Sequence, residues 1–313
     1  MPSYILRRML STIAVMAMVG IFVFLLLRLA PGDPAAMIAG KSATAEMIAG
    51  IREKLGLNDP MPIQFIRWVR TMFGGDFGTS IFAGRPVIEL IAQRLEPTLS
   101  LSILTMIVSV TIGVSFGILA AWRAGGFIDR VLSAFAALGF SVPVFVIGFF
   151  LIYWFAISLH LLPVQGYQPI GQSMWSWFEH LILPTLALSL GYIAFIARIT
   201  RASILEVLSE DYMRTAAAKG ASSYAMLFHH ALKNAGVPIL TVVGLCFAYL
   251  ISGVVITETV FNIPGIGRLT VDAINNRDYP IIQGVLILAS AMYVLVNLIV
   301  DLSYTLIDPR IRY

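Results

Sequence analysis

The chain has 313 residues, of which 58% are hydrophobic and 12% charged, with a net charge of +4 and one cysteine. Soluble domains carry about 25% charged residues, so this composition excludes an ordinary water-soluble enzyme. No clustered Lys/Arg face offers a nucleic-acid surface, and a lone Cys246 permits no internal disulfide.

Six stretches contain no Asp, Glu, Lys or Arg: Met9–Leu27, Pro97–Trp122, Val131–Phe178, His180–Ala197, Asn234–Thr257 and Tyr279–Val300. A hydrocarbon core about 30 Å thick takes about 20 helical residues to cross. A charge at mid-span costs on the order of 2.5–3.5 kcal/mol on insertion scales. The expected fold is therefore all-α: a polytopic helical membrane protein with six transmembrane helices.

Taken in chain order, Arg7 and Arg8 precede the first apolar run. That run is longer than a signal-peptide core of roughly 7–15 residues, and Arg28 stands where cleavage needs a small residue. It reads as an uncleaved N-terminal helix within residues 1–30. Residues 31–97 form a long mixed-charge segment. The turn Gly74-Gly75-Asp76-Phe77-Gly78, with Trp68, Phe73 and Phe77, suits a folded extracytoplasmic subdomain. Gly40-Lys41-Ser42 copies the end of a phosphate-binding loop, but Ala35 occupies the first Gly position and no strand precedes it. Residues 98–313 then form a five-helix core. Gly113-Val114-Ser115-Phe116-Gly117 fits G-x-S-x-G literally, yet it lies mid-span, where Gly113 and Gly117 suit close helix packing better than a nucleophile turn.

Val131–Phe178 is too long for one helix. Pro163, Gly166, Pro169 and Gly171 should end it, Pro143 should kink it, and Trp175, Trp177 and Phe178 suit a membrane interface. Lys/Arg marks cytoplasmic loops. Arg7/Arg8, Arg123/Arg130, Arg198–Lys233 and Arg310/Arg312 alternate with basic-poor His160–His180 and Glu258–Asp278. Both termini are thereby expected in the cytoplasm.

Glu258 lies at one span's outer end, with Asp301 and Arg198 near inner ends, so no span carries a charge at its centre. Ion-coupled carriers usually bury ionisable groups at mid-membrane, which favours a body driven from outside the membrane. An ion-coupled secondary transporter or channel is the alternative. His229 and His230 are adjacent and point to different helix faces, a poor metal pair.

The long connection, residues 198–233, is organised. Ser209 is an expected N-cap, with acidic Glu210 and Asp211 following. Tyr212–Lys219 should form about two turns ending at Gly220, the usual left-handed stop, and Ser222 or Ser223 should cap a second helix, Tyr224–Lys233. The result is a compact knob with small residues on it. The residues alone fit a solvated connector equally well.

From Glu210 to Gly220 the chain resembles the ATPase-docking loop of ABC importer permeases in the peptide/nickel family. Arg214-Thr215-Ala216 stand at the generic Glu-Ala-Ala positions, and Gly220 matches. Arg214 and Lys233 depart from the generic Glu and later Pro as the peptide branch does. Leu29-Ala30-Pro31-Gly32-Asp33-Pro34, Thr200-Arg201-Ala202-Ser203, Val260–Arg268, Arg277-Asp278-Tyr279-Pro280 and Asp308–Tyr313 extend the resemblance over nearly the whole chain. It is most similar to the first permease subunit of dipeptide, oligopeptide and glutathione importers.

The resemblance implies a bacterial inner-membrane subunit, paired with a second homologous permease, two cytoplasmic ATPases and an extracytoplasmic solute-binding protein. Asp211, Tyr212, Arg214, Thr215, Ala216, Lys219 and Gly220 would form the ATPase-coupling loop. ATP and Mg would belong to the partners, with no cofactor, metal or catalytic residue on this chain. The family also imports nickel complexes, opines and sugars, so the solute and the pathway-lining residues stay unassigned at this point.

Overall fold

The computed structural model describes residues 2–29, 35–36, 43–54 and 56–307. The Gly40-Lys41-Ser42 segment, Ala30–Pro34 and Asp308–Tyr313 lie outside them. Helices account for nearly all regular structure among the described residues; the sole extended pairing there is an isolated bridge, Thr79 to Pro86. The chain folds as two compact units, Met1–Arg94 with Leu269–Met292, and Leu95–Arg268 with Tyr293–Tyr313.

In the first unit, α1 (Pro2–Leu29) meets α3 (Met61–Phe73) through Phe24, whose ring centre lies 5.1 Å from that of Phe65 and 5.7 Å from that of Trp68. A shorter α2 (Ala45–Lys54) lies between them in the chain. Trp68 is thus a packing residue as expected, whereas Phe73 is 90% exposed. The loop after α3 is clamped by a carboxylate. Buried Asp278 accepts from Ser80 Oγ at 2.5 Å and from the Phe82 backbone N–H at 3.1 Å.

In the second unit, α4 (Val87–Trp122, which begins in the first unit) packs against α7 (Met174–Leu208). A Cβ on Gly113 would come within 2.9 Å of the Ile196 side chain, and one on Gly117 within 2.5 Å of Thr200. The glycine pair is therefore a helix-packing face, since absent side chains let two backbones approach. Pro97 in α4 and Pro184 in α7 are tolerated inside continuous helices.

The third apolar run departs from expectation. In place of a kinked span, α5 (Phe127–Ser141) and α6 (Val144–Ser158, π-helical from Ile152) meet at a 100° bend. Pro143 is the N-cap of α6. It lacks a backbone N–H and disfavours helical geometry at Val142, which is extended here. At the start of the fifth run, α9 (Ser223–Asn234) meets α10 (Gly236–Gly253) at a 56° bend, the junction expected between the second knob helix and the span, and α11 (Val255–Val260) follows. The chain ends in α12 (Ile266–Asn275) and α13 (Tyr279–Ile307). Among the described residues four helices are long and apolar enough to cross a membrane, and up to six crossings result if each bent pair is one span.

Candidate functional site

The knob begins where α7 ends. The helix runs on through Arg198–Leu208 because Thr200, Ser203 and Ile204 are buried on its inner face. The connection is therefore shorter than its charge content suggests. Ser209 does not start the next helix. Its N–H still bonds to Leu205 O at 3.2 Å and its hydroxyl donates to Glu206 O at 2.7 Å, so it closes α7. Extended Glu210 is the N-cap of α8 (Asp211–Ala218).

One side chain holds α8 to the body. Met213 is fully buried, within a cluster containing Ala121 of α4, Ile204 of α7, Leu227 and Ala231 of α9, Ala235, and Ile239 of α10. The expected coupling residues lie outside that cluster: Asp211, Tyr212, Arg214, Thr215, Lys219 and Gly220 are exposed and Ala216 is half-buried. Arg214 and Asp211 pair at 3.3 Å with side chains 78% and 95% exposed. Such a pair is worth about 0–1 kcal/mol, so both charges remain available to another surface.

Gly220 ends α8 with φ +83°. Its N–H bonds to Ala217 O at 2.9 Å and that of Ala221 bonds to Ala216 O at 3.1 Å, the paired bonds of a Schellman stop. Ser222 then caps α9, its hydroxyl accepting from Ala225 N at 3.2 Å. Beside the knob, Tyr212 overhangs a groove of about 740 Å³ that also contains Glu206, Glu210, His230 and Asn234.

Two buried acids and one structured loop support this unit, and the local sequence does not reveal them. Asp129 receives Arg201 Nε at 2.6 Å and Nη2 at 2.8 Å, tying α5 to α7. Glu258 is fully buried; it accepts from Thr98 Oγ1 at 2.5 Å and from Arg268 N at 2.9 Å, while Ile266 N donates to Thr98 Oγ1. The carboxylate and the Thr98 hydroxyl thus each satisfy one orphan N–H at the start of α12. A Cβ at Gly265 would collide with it, which accounts for glycine in Pro264-Gly265-Ile266-Gly267. The 159–173 loop is fastened by Glu96, which accepts from Tyr167 Oη at 2.9 Å and Ile170 N at 3.0 Å. Burial, with the Glu96 charge adding to it, pushes the Tyr167 phenol above its ordinary value. Trp177 is half-buried and donates to Ser100 Oγ at 3.1 Å, while Trp175 is exposed.

Residues 113–313 match the family described as the inner membrane component of binding-protein-dependent transport systems, and residues 1–102 match its N-terminal region. The chain belongs to this family. Over the full length of both chains, this permease is 72% identical to a probable peptide ABC transporter permease, y4tP, of Sinorhizobium fredii. It is 44% identical to the glutathione transport system permease GsiC of Salmonella typhi and 41% to a putative peptide transport system permease of Brucella abortus, again end to end. Among solved structures, an inward-facing MetNI methionine ABC transporter matches with TM-score 0.57 and 18% identity, over 71% of this chain and 97% of that one. That likeness is one of fold. The permease is a multi-pass inner-membrane component of an ABC transporter, and its family favours this over an ion-coupled carrier.

Proposed function

We propose that this permease forms half of the pathway of an ATP-driven importer that carries peptide-like solutes, such as dipeptides, oligopeptides or glutathione, inward by alternating access. A second homologous permease supplies the other half. Two cytoplasmic ATPases bind ATP and Mg and receive the knobs, and an extracytoplasmic binding protein delivers solute. Both termini are cytoplasmic, and the chain itself holds no nucleotide or catalytic site. The knob carries this reading: α8 is fixed by Met213 and exposes its charged and small residues. The solute class follows from the relatives named for peptide or glutathione transport.

The test is affinity purification with co-expressed neighbours. An ATPase should be recovered whose Mg-ATP turnover rises with solute-loaded binding protein. Transport by the isolated chain under an ion gradient would overturn the proposal.

A further inference from the structure

The break between α5 and α6 opens a cavity of about 600 Å³. Its wall includes Phe140, Pro143, Tyr192, Phe195, Arg198 and Tyr249. Non-helical backbone at membrane depth is tolerated where it is buried in protein or lines a water-filled cavity. Val142 and Pro143 of the break line this one. Its volume lies within the roughly 300–1,000 Å³ range of small-molecule sites. A second cavity of about 310 Å³ shares Phe140 and Arg198 and extends along α5 and α7 to Arg201.

The two arginines, one turn apart on α7, are used differently. Arg201 is neutralised by the two-pronged bond to Asp129. Arg198 meets no carboxylate among the described residues. Its guanidinium carbon lies 5.3 Å from the ring centre of Phe140 and 6.0 Å from that of Phe195. The two rings are themselves packed edge to face at 5.9 Å. An aromatic seat of this kind holds the cation by its face. The planar fork of N–H donors, which matches a carboxylate, is left to bind.

We propose that Arg198, at the junction of these two cavities, contacts the cargo and binds the carboxylate of a peptide-like solute on this chain's wall of the pathway. This rests on the importer reading above and names the group by which the solute is held. A free peptide always carries that group, whatever its side chains.

The test uses the whole transporter in proteoliposomes, with radiolabelled dialanine and glutathione as probes. Arg198→Gln is expected to lower uptake of the transported probe about tenfold, the scale of one charge-assisted hydrogen bond. Arg198→Lys, which keeps the charge but lacks the planar fork, should fall between Arg198→Gln and the wild type. Intact assembly is checked by gel filtration. In a Cys246→Ala background, Arg198→Cys should react with a charged, membrane-impermeant thiol reagent, and the transported probe should slow that reaction during turnover. Normal uptake by Arg198→Gln overturns the inference alone, as does a residue 198 thiol that is inert or unprotected, the result expected if it faces lipid or a neighbouring subunit. A wild-type transporter that moves neither probe overturns the peptide reading, and the inference with it.

Discussion

Nothing lies within 4 Å of a Cβ placed on Gly220. Backbone geometry, and not crowding, excludes a side chain there: φ +83° costs an ordinary residue roughly 1–2 kcal/mol and a β-branched one more. Gly220→Val should therefore abolish uptake while membrane insertion, followed by immunoblot of membrane fractions, stays normal. Gly220→Asn should keep most of the activity, because Asn tolerates the left-handed region. Equal loss in both variants would point to the side chain instead. The Asp129–Arg201 pair behaves differently, because its carboxylate is buried while Arg201 is one-third exposed. Removing one partner from a fully buried pair costs about 3–5 kcal/mol, so Asp129→Ala should cost somewhat less. The double variant Asp129→Ala/Arg201→Ala should recover part of that loss, as a lowered and then partly restored melting temperature in detergent would show.

At the scale of elements, Gly117 predicts the tightest contact between α4 and α7. A Cβ there would stand 2.5 Å from the Thr200 side chain and 2.8 Å from Ala197 O, and the backbone oxygen has nowhere to move. Gly117→Val should lower stability by about 1–3 kcal/mol, the usual range for overpacking. Gly171→Val, with nothing within 4 Å, should leave the melting temperature unchanged. The same glycines were legible in the sequence because a small-residue pair four apart is a local signal. So were the apolar helices, marked by missing charge, and the stop at Gly220 with its following cap at Ser222. Breaks and boundaries set by distant partners were not. The 100° bend at Pro143 exceeds the kink its single proline suggests, since α6 must pack elsewhere, with Gly148 against Val260 and Phe261. Ser209 looked like a helix start but finishes α7, because burial of Thr200, Ser203 and Ile204 carries that helix onward. Glu258 reads as a span-end charge; its burial depends on Thr98, 160 residues away. Met213 could have been found: it is the one large aliphatic side chain between Glu210 and Gly220.

At the scale of the whole molecule, the charge on the knob should govern capture of its motor. Arg214 is largely solvent-exposed, so Arg214→Glu should leave folding intact. We expect Arg214 to meet acidic residues of the ATPase, so the reversed charge should weaken ATPase co-purification about tenfold at low salt, and less at high salt as screening shortens the reach of charge. Recovery unchanged at every ionic strength would remove Arg214 from the contact. What happens after capture depends on Met213. It is buried among residues of α4, α7, α9 and α10 together. Close-packed interiors have low compressibility and transmit strain. A shove on α8 is therefore shared at once by four helices, one of them a 35-residue rod about 52 Å long. On the proposed coupling role the thioether would act as a linchpin, and a smaller side chain there should leave ATPase turnover in place while uptake falls.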